Sequence, residues 1–296
     1  MKRLFPAVLL IGITLGVVTA FAMATTRSKA SERWHAFLQK PATQPGDPSH
    51  GEYLANIAGC VGCHTNYGNN GALLAGGVAI ETPFGTFLTP NISISGESGI
   101  GGWSDEQFAK ALVLGTNHSG EHYYPAFPYN AYTNMSAQDI ADVFAWIKTI
   151  APANNKNSPH QLSLIARFRP PISLWKSLYF KPMAKPATGN RGAYLVSGPG
   201  HCAECHSQRN LLGGLTTTKL NGNTRGPDGE TVPGISVTDL AQWAIEDIDL
   251  FLEVGITPSG DSTGGHMADV IEYNTSFLTS KDRQAIARYL KSESNS

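Results

Sequence analysis

Two five-residue motifs contain the residues with the clearest chemistry, CVGCH at 60–64 and CAECH at 202–206, and the chain has no other cysteines. Two thiols three positions apart on one helical turn can both bond the vinyl groups of a single porphyrin, and the adjacent histidine can then ligate its iron. The sequence therefore predicts two covalently bound haem c groups. The expected haem-binding residues are the four cysteines and the two proximal histidines: Cys60, Cys63, His64, Cys202, Cys205 and His206.

Other interpretations of the two motifs are weaker. A zinc site needs four ligands folded onto one ion, which four thiolates or two thiolates with two imidazoles could supply. A thioredoxin-like redox pair is expected in a βαβ context, and the sequence offers none. Chance does not explain why the same motif occurs at matching points of an internal repeat.

The sixth ligand of the second iron is predicted to be Met267. This residue is predicted to lie in a glycine-containing loop before the last helix of the chain, where a small cytochrome presents its thioether to the iron. Its neighbour His266 is the competing ligand, and a packing role is the alternative without ligation. A thioether ligand favours ferrous iron and raises the reduction potential.

The sixth ligand of the first iron is sought in EHYYPAFPYNAYTNM, residues 121–135. Counted back from the last helix of each repeat, Met267 aligns with Tyr124, two residues after His122. We therefore predict His122 as the ligand. Met135 is the alternative, although it aligns with Leu278, where a packing residue is expected. A tyrosinate ligand and an open or water-bound iron also remain possible at this point.

An internal repeat indicates which elements position these residues. Three pairs of segments match in order: 51–66 with 192–208, 103–115 with 243–255, and 135–147 with 278–290. Each repeat predicts one helix leading into the motif, one in the middle and one that closes the unit. Ser136 with Asp139, and Thr279 with Asp282, are typical of N-caps with an acidic partner.

The predicted fold class is mostly α, with two small tandem domains that resemble class I cytochromes c. The expected organisation is an apolar segment at 1–26, a tether at 27–49, a first domain at 50–150, an apolar strap at 151–189 and a second domain at 190–296. Aromatic residues of the strap predict that it packs across both domains.

The N-terminal segment predicts export. Lys2 and Arg3 precede an uncharged run from Leu4 to Ala24, which is long enough for a membrane anchor and also ends in a small-residue cleavage pattern. The expected location is the periplasmic side of the bacterial inner membrane for an anchored chain, or the periplasm after cleavage. The formal net charge of -1 gives no basic field for nucleic acid.

The sequence resembles a known family over roughly residues 50–295. The stretches GEYL…CVGCHT, HYYPAFPY and NRGAYLVSGPGHCAECHSQRN look like the cytochrome c subunits of membrane-bound bacterial alcohol, gluconate and aldehyde dehydrogenases. Those subunits commonly have three haem domains, whereas this chain has two motifs. Their usual first-domain motif is YPAMPY, whose methionine ligates the iron, and that position is Phe127 here.

The resemblance implies electron relay. The expected function is a dihaem cytochrome that passes single electrons from a dehydrogenase or quinol donor to a downstream cytochrome or oxidase, with no catalytic residues of its own. The alternative is a dihaem oxidoreductase, similar to a thiosulfate dehydrogenase or a peroxidase, that acts on a small molecule at the first haem. Phe127 in place of a ligand keeps that alternative open.

Overall fold

The computed structural model describes residues 30–180, 189–226 and 229–292, together with Ala24 and Ser28. The predicted N-terminal apolar helix falls almost entirely outside these residues. None of the helices within them combines the length and the hydrophobicity that a membrane span needs. The described chain is mostly helical with three short strands, which confirms that part of the predicted fold class.

The elements follow in chain order, after a helical stretch at residues 30–38. They are α1 (Pro48–Ile57), α2 (Cys60–His64), β1 (Ala79–Ile80), β2 (Gly85–Leu88), α3 (Asp105–Leu114), α4 (Tyr129–Tyr132), α5 (Ala137–Ile147), β3 (Gln161–Leu162), α6 (Leu164–Arg167), α7 (Pro171–Tyr179), α8 (Arg191–Ser197), α9 (Ala203–His206), α10 (Ile245–Val254), α11 (Gly265–Tyr273) and α12 (Ser280–Leu290). The strands form one antiparallel sheet in the order β1-β2-β3.

The helices predicted from the repeat are all present. In each half a helix leads into the cysteine motif, a second lies in the middle and a third closes the unit; these closing helices are α5 and α12. The predicted N-caps are confirmed, since the Ser136 and Thr279 hydroxyls accept hydrogen bonds from the amides of Asp139 and Asp282. The leading helix α1 begins in the same way, with its first amides bound to the Asp47 side chain.

The leading and closing helices of each half cross at a glycine. A Cβ atom at Gly51 would lie 1.9 Å from the carbonyl oxygen of Asp142 in α5, and one at Gly192 would lie 2.0 Å from that of Ala285 in α12. Glycine lacks Cβ, so the two backbones can approach this closely. The repeated GEYL and GAYL segments therefore have the same packing role in both halves.

The buried apolar residues form two clusters. The first cluster is centred on α1, α3 and α5, where the rings of Phe108 and Phe144 stack at 4.4 Å between centroids. The second is centred on α8, α10 and α12, and includes Leu195, Ile248 and Leu290. Each cluster thus consists mainly of residues from one repeat, although Ile57 of α1 belongs to the second cluster. Burial of these side chains supplies the main stabilising free energy of each half.

Two tyrosines connect the halves reciprocally. Tyr53 in α1 donates a hydrogen bond to the Asp282 carboxylate in the closing helix of the other half, at 2.7 Å. Tyr194 in α8 likewise donates to the Asp139 carboxylate in the closing helix of the first half. The Tyr53 hydroxyl also accepts from the Thr279 amide at 3.3 Å, and the Tyr194 hydroxyl accepts from the Ser136 amide at 3.0 Å. The two acidic cap partners therefore bind tyrosines across the interface.

The strap contacts both halves, as predicted. The Lys176 side chain is fully buried and donates to the Leu114 and Gly115 carbonyls at the end of α3. Trp175 in the same helix α7 donates from Nε1 to the Leu212 carbonyl in the second half, at 2.7 Å. The strap therefore holds α3 of the first half beside the segment that follows the second cysteine motif.

Candidate haem sites

Each cysteine motif forms a single helical turn. The residue before each turn is in the left-handed region, Gly59 with φ 72° and His201 with φ 40°. The first thiol of each motif, on Cys60 or Cys202, packs against the apolar cluster of its own half. The two turns are thus placed in the same way relative to their cores.

Both predicted proximal histidines are oriented by a proline carbonyl. Nδ1 of His64 donates to the Pro90 carbonyl at 2.7 Å, and Nδ1 of His206 donates to the Pro233 carbonyl at 2.8 Å. A carbonyl can only accept, so the proton is on Nδ1 and Nε2 keeps its lone pair. Burial lowers the pKa of both histidines, so both rings are neutral at neutral pH. This is the state in which imidazole ligates iron.

Pro90 and Pro233 were not predicted from the sequence as partners of the two histidines. They stand in TPNIS and VPGIS, 26 residues after His64 and 27 residues after His206, and these segments could have been recognised as a fourth repeated pair. The loops before them also match, since Leu74 and Leu220 are both buried with positive φ values of 59° and 56°. A repeated P-x-I-S pattern was therefore the signal for the residues that orient both histidines.

In the part of the chain that the structure describes, the thiols belong to no group of three or more side chains that could hold a metal ion. Among the described residues, one group of three could hold a metal ion, and it consists of His50, Asp139 and Asp142 rather than of cysteines. Asp142 in that group accepts from His50 Nδ1 at 2.7 Å and from the Asp47 amide at 2.9 Å, so it is occupied in packing α1 against α5. Burial raises the pKa of Cys60 to about 12, which disfavours a reactive dithiol pair.

Met267 lies in the first turn of α11, where the sequence predicted a loop. Its side chain is half-buried and packs against the second apolar cluster, whereas the neighbouring His266 is exposed. Gly265 begins this helix with φ 59°, which turns the chain sharply before the methionine. Of the two candidate ligands for the second iron, Met267 is thus the one directed into the fold.

Phe127 and Met135 have different surroundings in the first half. Phe127 is half-buried and packs against the first cluster, in edge contact with Tyr123 at 5.6 Å and Tyr132 at 5.4 Å between ring centroids. Met135 is 1% exposed and belongs to the cluster itself. The position of Met135 is therefore that of a packing residue, as its alignment with Leu278 indicated.

His122 contacts the strap. Its Nδ1 lies 3.2 Å from Nζ of Lys176, and its backbone carbonyl accepts from Arg169. Burial, followed by the positive charges of Lys176 and Arg169, lowers the pKa of His122 to about 4. Its Nδ1 faces a lysine amine, whereas His64 and His206 face carbonyls. If Lys176 is an ammonium, it donates to Nδ1, and the His122 proton is then on Nε2. If Lys176 is a neutral amine, it accepts from Nδ1, and Nε2 is then free to ligate iron.

The residues present fit covalently bound haem. Each site offers two thiols on one turn and a neutral histidine whose Nδ1 is held by a carbonyl, which leaves Nε2 as the ligating atom. The second site adds a half-buried thioether on Met267. Sulfur and imidazole ligands in this combination are those of c-type cytochromes.

Comparisons with known proteins agree with this chemistry. Residues 49–151 match the Cytochrome c family. The chain is 40% identical over 255 residues to a diheme cytochrome c-type protein of Cereibacter sphaeroides, an alignment that covers 83% of this chain and 86% of that protein.

Dehydrogenase subunits are also similar. The chain is 34% identical over 288 residues to the fructose dehydrogenase cytochrome subunit of Gluconobacter japonicus, covering 93% of this chain and 57% of that one. It is 35% identical over 260 residues to the alcohol dehydrogenase (quinone) cytochrome c subunit of Gluconobacter oxydans, covering 82% and 54%. The chain thus spans little more than half the length of these two subunits. It belongs to the cytochrome c family that includes dihaem cytochromes c and the cytochrome c subunits of bacterial dehydrogenases.

Proposed function

We propose that this chain is a dihaem cytochrome c that relays single electrons between a dehydrogenase or quinol donor and a downstream cytochrome or oxidase. One observation carries the proposal: both CxxCH turns have a neutral histidine held through Nδ1 by a proline carbonyl. The same arrangement in both halves supports two haem sites and two tandem cytochrome c-like domains.

The chain's own residues prepare each site for electron transfer without large rearrangement. A haem bound at each site supplies one-electron chemistry between ferric and ferrous iron. The proline carbonyls fix the tautomer and the ring orientation of His64 and His206. The apolar clusters exclude water from one side of each CxxCH turn. Fixed ligands and a low local dielectric stabilise a defined reduction potential.

The proposed axial ligands are His64 with His122 at the first site and His206 with Met267 at the second. Histidine in place of methionine favours ferric iron, so the first haem would have the lower potential. Electrons would then pass from the first haem to the second. Met135 remains the alternative at the first site, although its burial at 1% exposure favours packing.

The relatives suggest the class of donor. The similar subunits from Gluconobacter species have names that assign them to fructose and alcohol dehydrogenases. A dehydrogenase subunit is therefore the proposed donor for this chain, and a soluble cytochrome or an oxidase the proposed acceptor. The apolar N-terminal run motivates a further proposal, that the chain is exported and works in the periplasm, held at the inner membrane if this segment is retained.

The test begins with the protein produced together with a cytochrome c maturation system. Its denatured mass should exceed the polypeptide mass by two haems, and a Cys202→Ser, Cys205→Ser variant should retain one. The reduced protein, mixed rapidly with an oxidised soluble cytochrome c, should then become oxidised at both haems. A single attached haem in the wild type, or no electron exchange at either haem, would contradict the proposal.

A second candidate function rests on Phe127. A phenylalanine stands at the position of the methionine in the YPAMPY motif that is usual in the resembled family, and it packs against the first cluster. If the first iron has His64 as its single protein ligand and an open sixth position, the chain could oxidise or reduce a small molecule there, as thiosulfate dehydrogenases and peroxidases do. Carbon monoxide or cyanide binding to one haem, together with turnover of thiosulfate or peroxide, would favour this function over relay. Two haems that bind neither ligand would exclude it.

A further inference from the structure

We propose that His201 and Tyr132 form a fixed bridge between the two cysteine motifs and set the spacing across which electrons pass from one haem to the other. The inference rests on the proposed relay function and adds two positioning residues to it. Neither residue was singled out by the sequence comparison.

The bridge begins with contacts of His201, the residue directly before Cys202. Its Nδ1 donates to the Pro199 carbonyl at 2.8 Å, which fixes the ring orientation. The ring meets that of Tyr132 at 5.7 Å between centroids and 61° between planes. Tyr132 in turn donates its hydroxyl proton to the Ala58 carbonyl, two residues before Cys60. Two contacts, one between the rings and one from the Tyr132 hydroxyl, therefore link His201 before the second motif to Ala58 before the first.

The second half also contacts the first motif. A Cβ atom at Gly59 would lie 3.6 Å from Cε1 of His201, and one at Gly62 would lie 3.0 Å from Cβ of Tyr273. Just beyond the first motif, the ring of Tyr67 stacks on that of Tyr273 at 4.8 Å and 7°. The turn that holds Cys60 and Cys63 is thus in contact with the second half at several points, so its position relative to the second motif is fixed.

The positions of these contacts along the chain bring the two motifs together. Gly59 directly precedes Cys60 and His201 directly precedes Cys202, and a Cβ atom at Gly59 would lie 3.6 Å from Cε1 of His201. A haem bonded to Cys60 and Cys63 and a haem bonded to Cys202 and Cys205 would therefore both be attached beside this interface.

The backbone of His201 has an uncommon conformation for a residue with a side chain. Its φ of 40° lies in the left-handed region, and the equivalent residue in the first half is Gly59, with φ 72°. Most side chains are unfavourable there, although histidine adopts this region more often than most. The contacts of its ring with Tyr132 and with the Pro199 carbonyl hold His201 in this conformation.

The physical consequence concerns distance. Electron tunnelling between two centres slows steeply as the gap between them widens, and a rigid packed interface keeps that gap constant. The reciprocal tyrosine contacts hold the halves together at the starts of the two closing helices, at Asp139 and Asp282. His201 and Tyr132 hold them at the motifs, where the electron crosses.

The test uses the mature dihaem protein and the variants His201→Gly and His201→Asn. Glycine and asparagine both accept the left-handed backbone, so both variants should fold, and both remove the ring. The matched control is His160→Gly, which removes another half-buried imidazole packed against a tyrosine, Tyr124, at 5.8 Å. One electron is injected by pulse radiolysis, and its equilibration between the haems is followed by absorbance, after redox titration of both haems.

Both His201 variants should equilibrate several-fold more slowly than the wild type, with both midpoint potentials unchanged. His160→Gly should equilibrate at the wild-type rate. A wild-type rate in both His201 variants would overturn the bridge, as would equal slowing in the control. Failure of the relay function has a different signature, because the wild type itself would then show no equilibration between haems.

Discussion

A substitution of one glycine by alanine tests the helix crossing on which each half is built. On helix propensity alone, Gly51→Ala would stabilise α1 by about 1 kcal/mol. The structure predicts the opposite, because the new Cβ would lie 1.9 Å from the Asp142 carbonyl oxygen, and real Cβ atoms essentially never approach below 3.0 Å. Since the obstacle is backbone, α1 and α5 must separate.

The size of the effect follows from these opposing terms. Overpacking in a core costs about 1–3 kcal/mol, and contact with backbone places this site at the upper end. After the gain in propensity, a net loss of about 2 kcal/mol remains. For a protein of this size that corresponds to a fall in Tm of about 4–8 °C. Gly192→Ala should behave similarly, because its Cβ would lie 2.0 Å from the Ala285 carbonyl oxygen.

The assay is thermal unfolding of the haem-loaded protein, followed by far-ultraviolet circular dichroism and by haem absorbance. Gly102→Ala is the control, since a Cβ at Gly102 has nothing within 4 Å and needs no left-handed backbone. Its Tm should stay within a degree or so of the wild type, as surface substitutions usually do. An unchanged or raised Tm in both Gly51→Ala and Gly192→Ala would refute the close crossing.

The remaining predictions concern ligands and charge. Met267→Ala should abolish the weak far-red band that sulfur ligation gives the ferric protein, and a retained band would assign the sulfur to Met135. His122→Ala should convert one haem from low spin to high spin, and two unchanged low-spin haems would exclude His122 as a ligand. Burial lowers the pKa of Lys176 from 10.5 to about 7, so between these values the unfolded chain binds more protons and the free energy of unfolding rises with pH. In denaturant titrations, the free energy of unfolding of the wild type should therefore rise between pH 7 and 10 relative to that of Lys176→Met. If the two proteins had the same pH dependence, Lys176 would be charged in the folded state.

Much of the local structure could be predicted from residue types and spacing. The two CxxCH turns, the three helices of each repeat and the N-caps at Ser136 and Thr279 are all present. Each of these depends on residues within a few positions of one another, so the sequence contains the whole signal. The contact of the strap with both halves was also predicted, because its aromatic residues are too apolar for a free linker.

The partners of the chemically important side chains were harder to predict. Asp139 was expected to cap its own helix, and its carboxylate instead accepts from Tyr194 of the other half. The contact of His122 with Lys176 joins residues 54 positions apart. No local pattern specifies either pairing, since both depend on how the halves and the strap pack together. The same holds for Pro90 and Pro233, whose repeat was visible but whose role was not.

Residue types and spacing were sufficient to predict the two CxxCH turns, because two thiols and a histidine on one turn are set by positions along the chain. The internal repeat was sufficient to show that this motif occurs twice. The carbonyls that hold His64 and His206, and the position of His201 and Tyr132 between the motifs, could be seen only in the folded chain. Those contacts join residues far apart in the chain, and they form only when two apolar cores pack against each other and bring the motifs together.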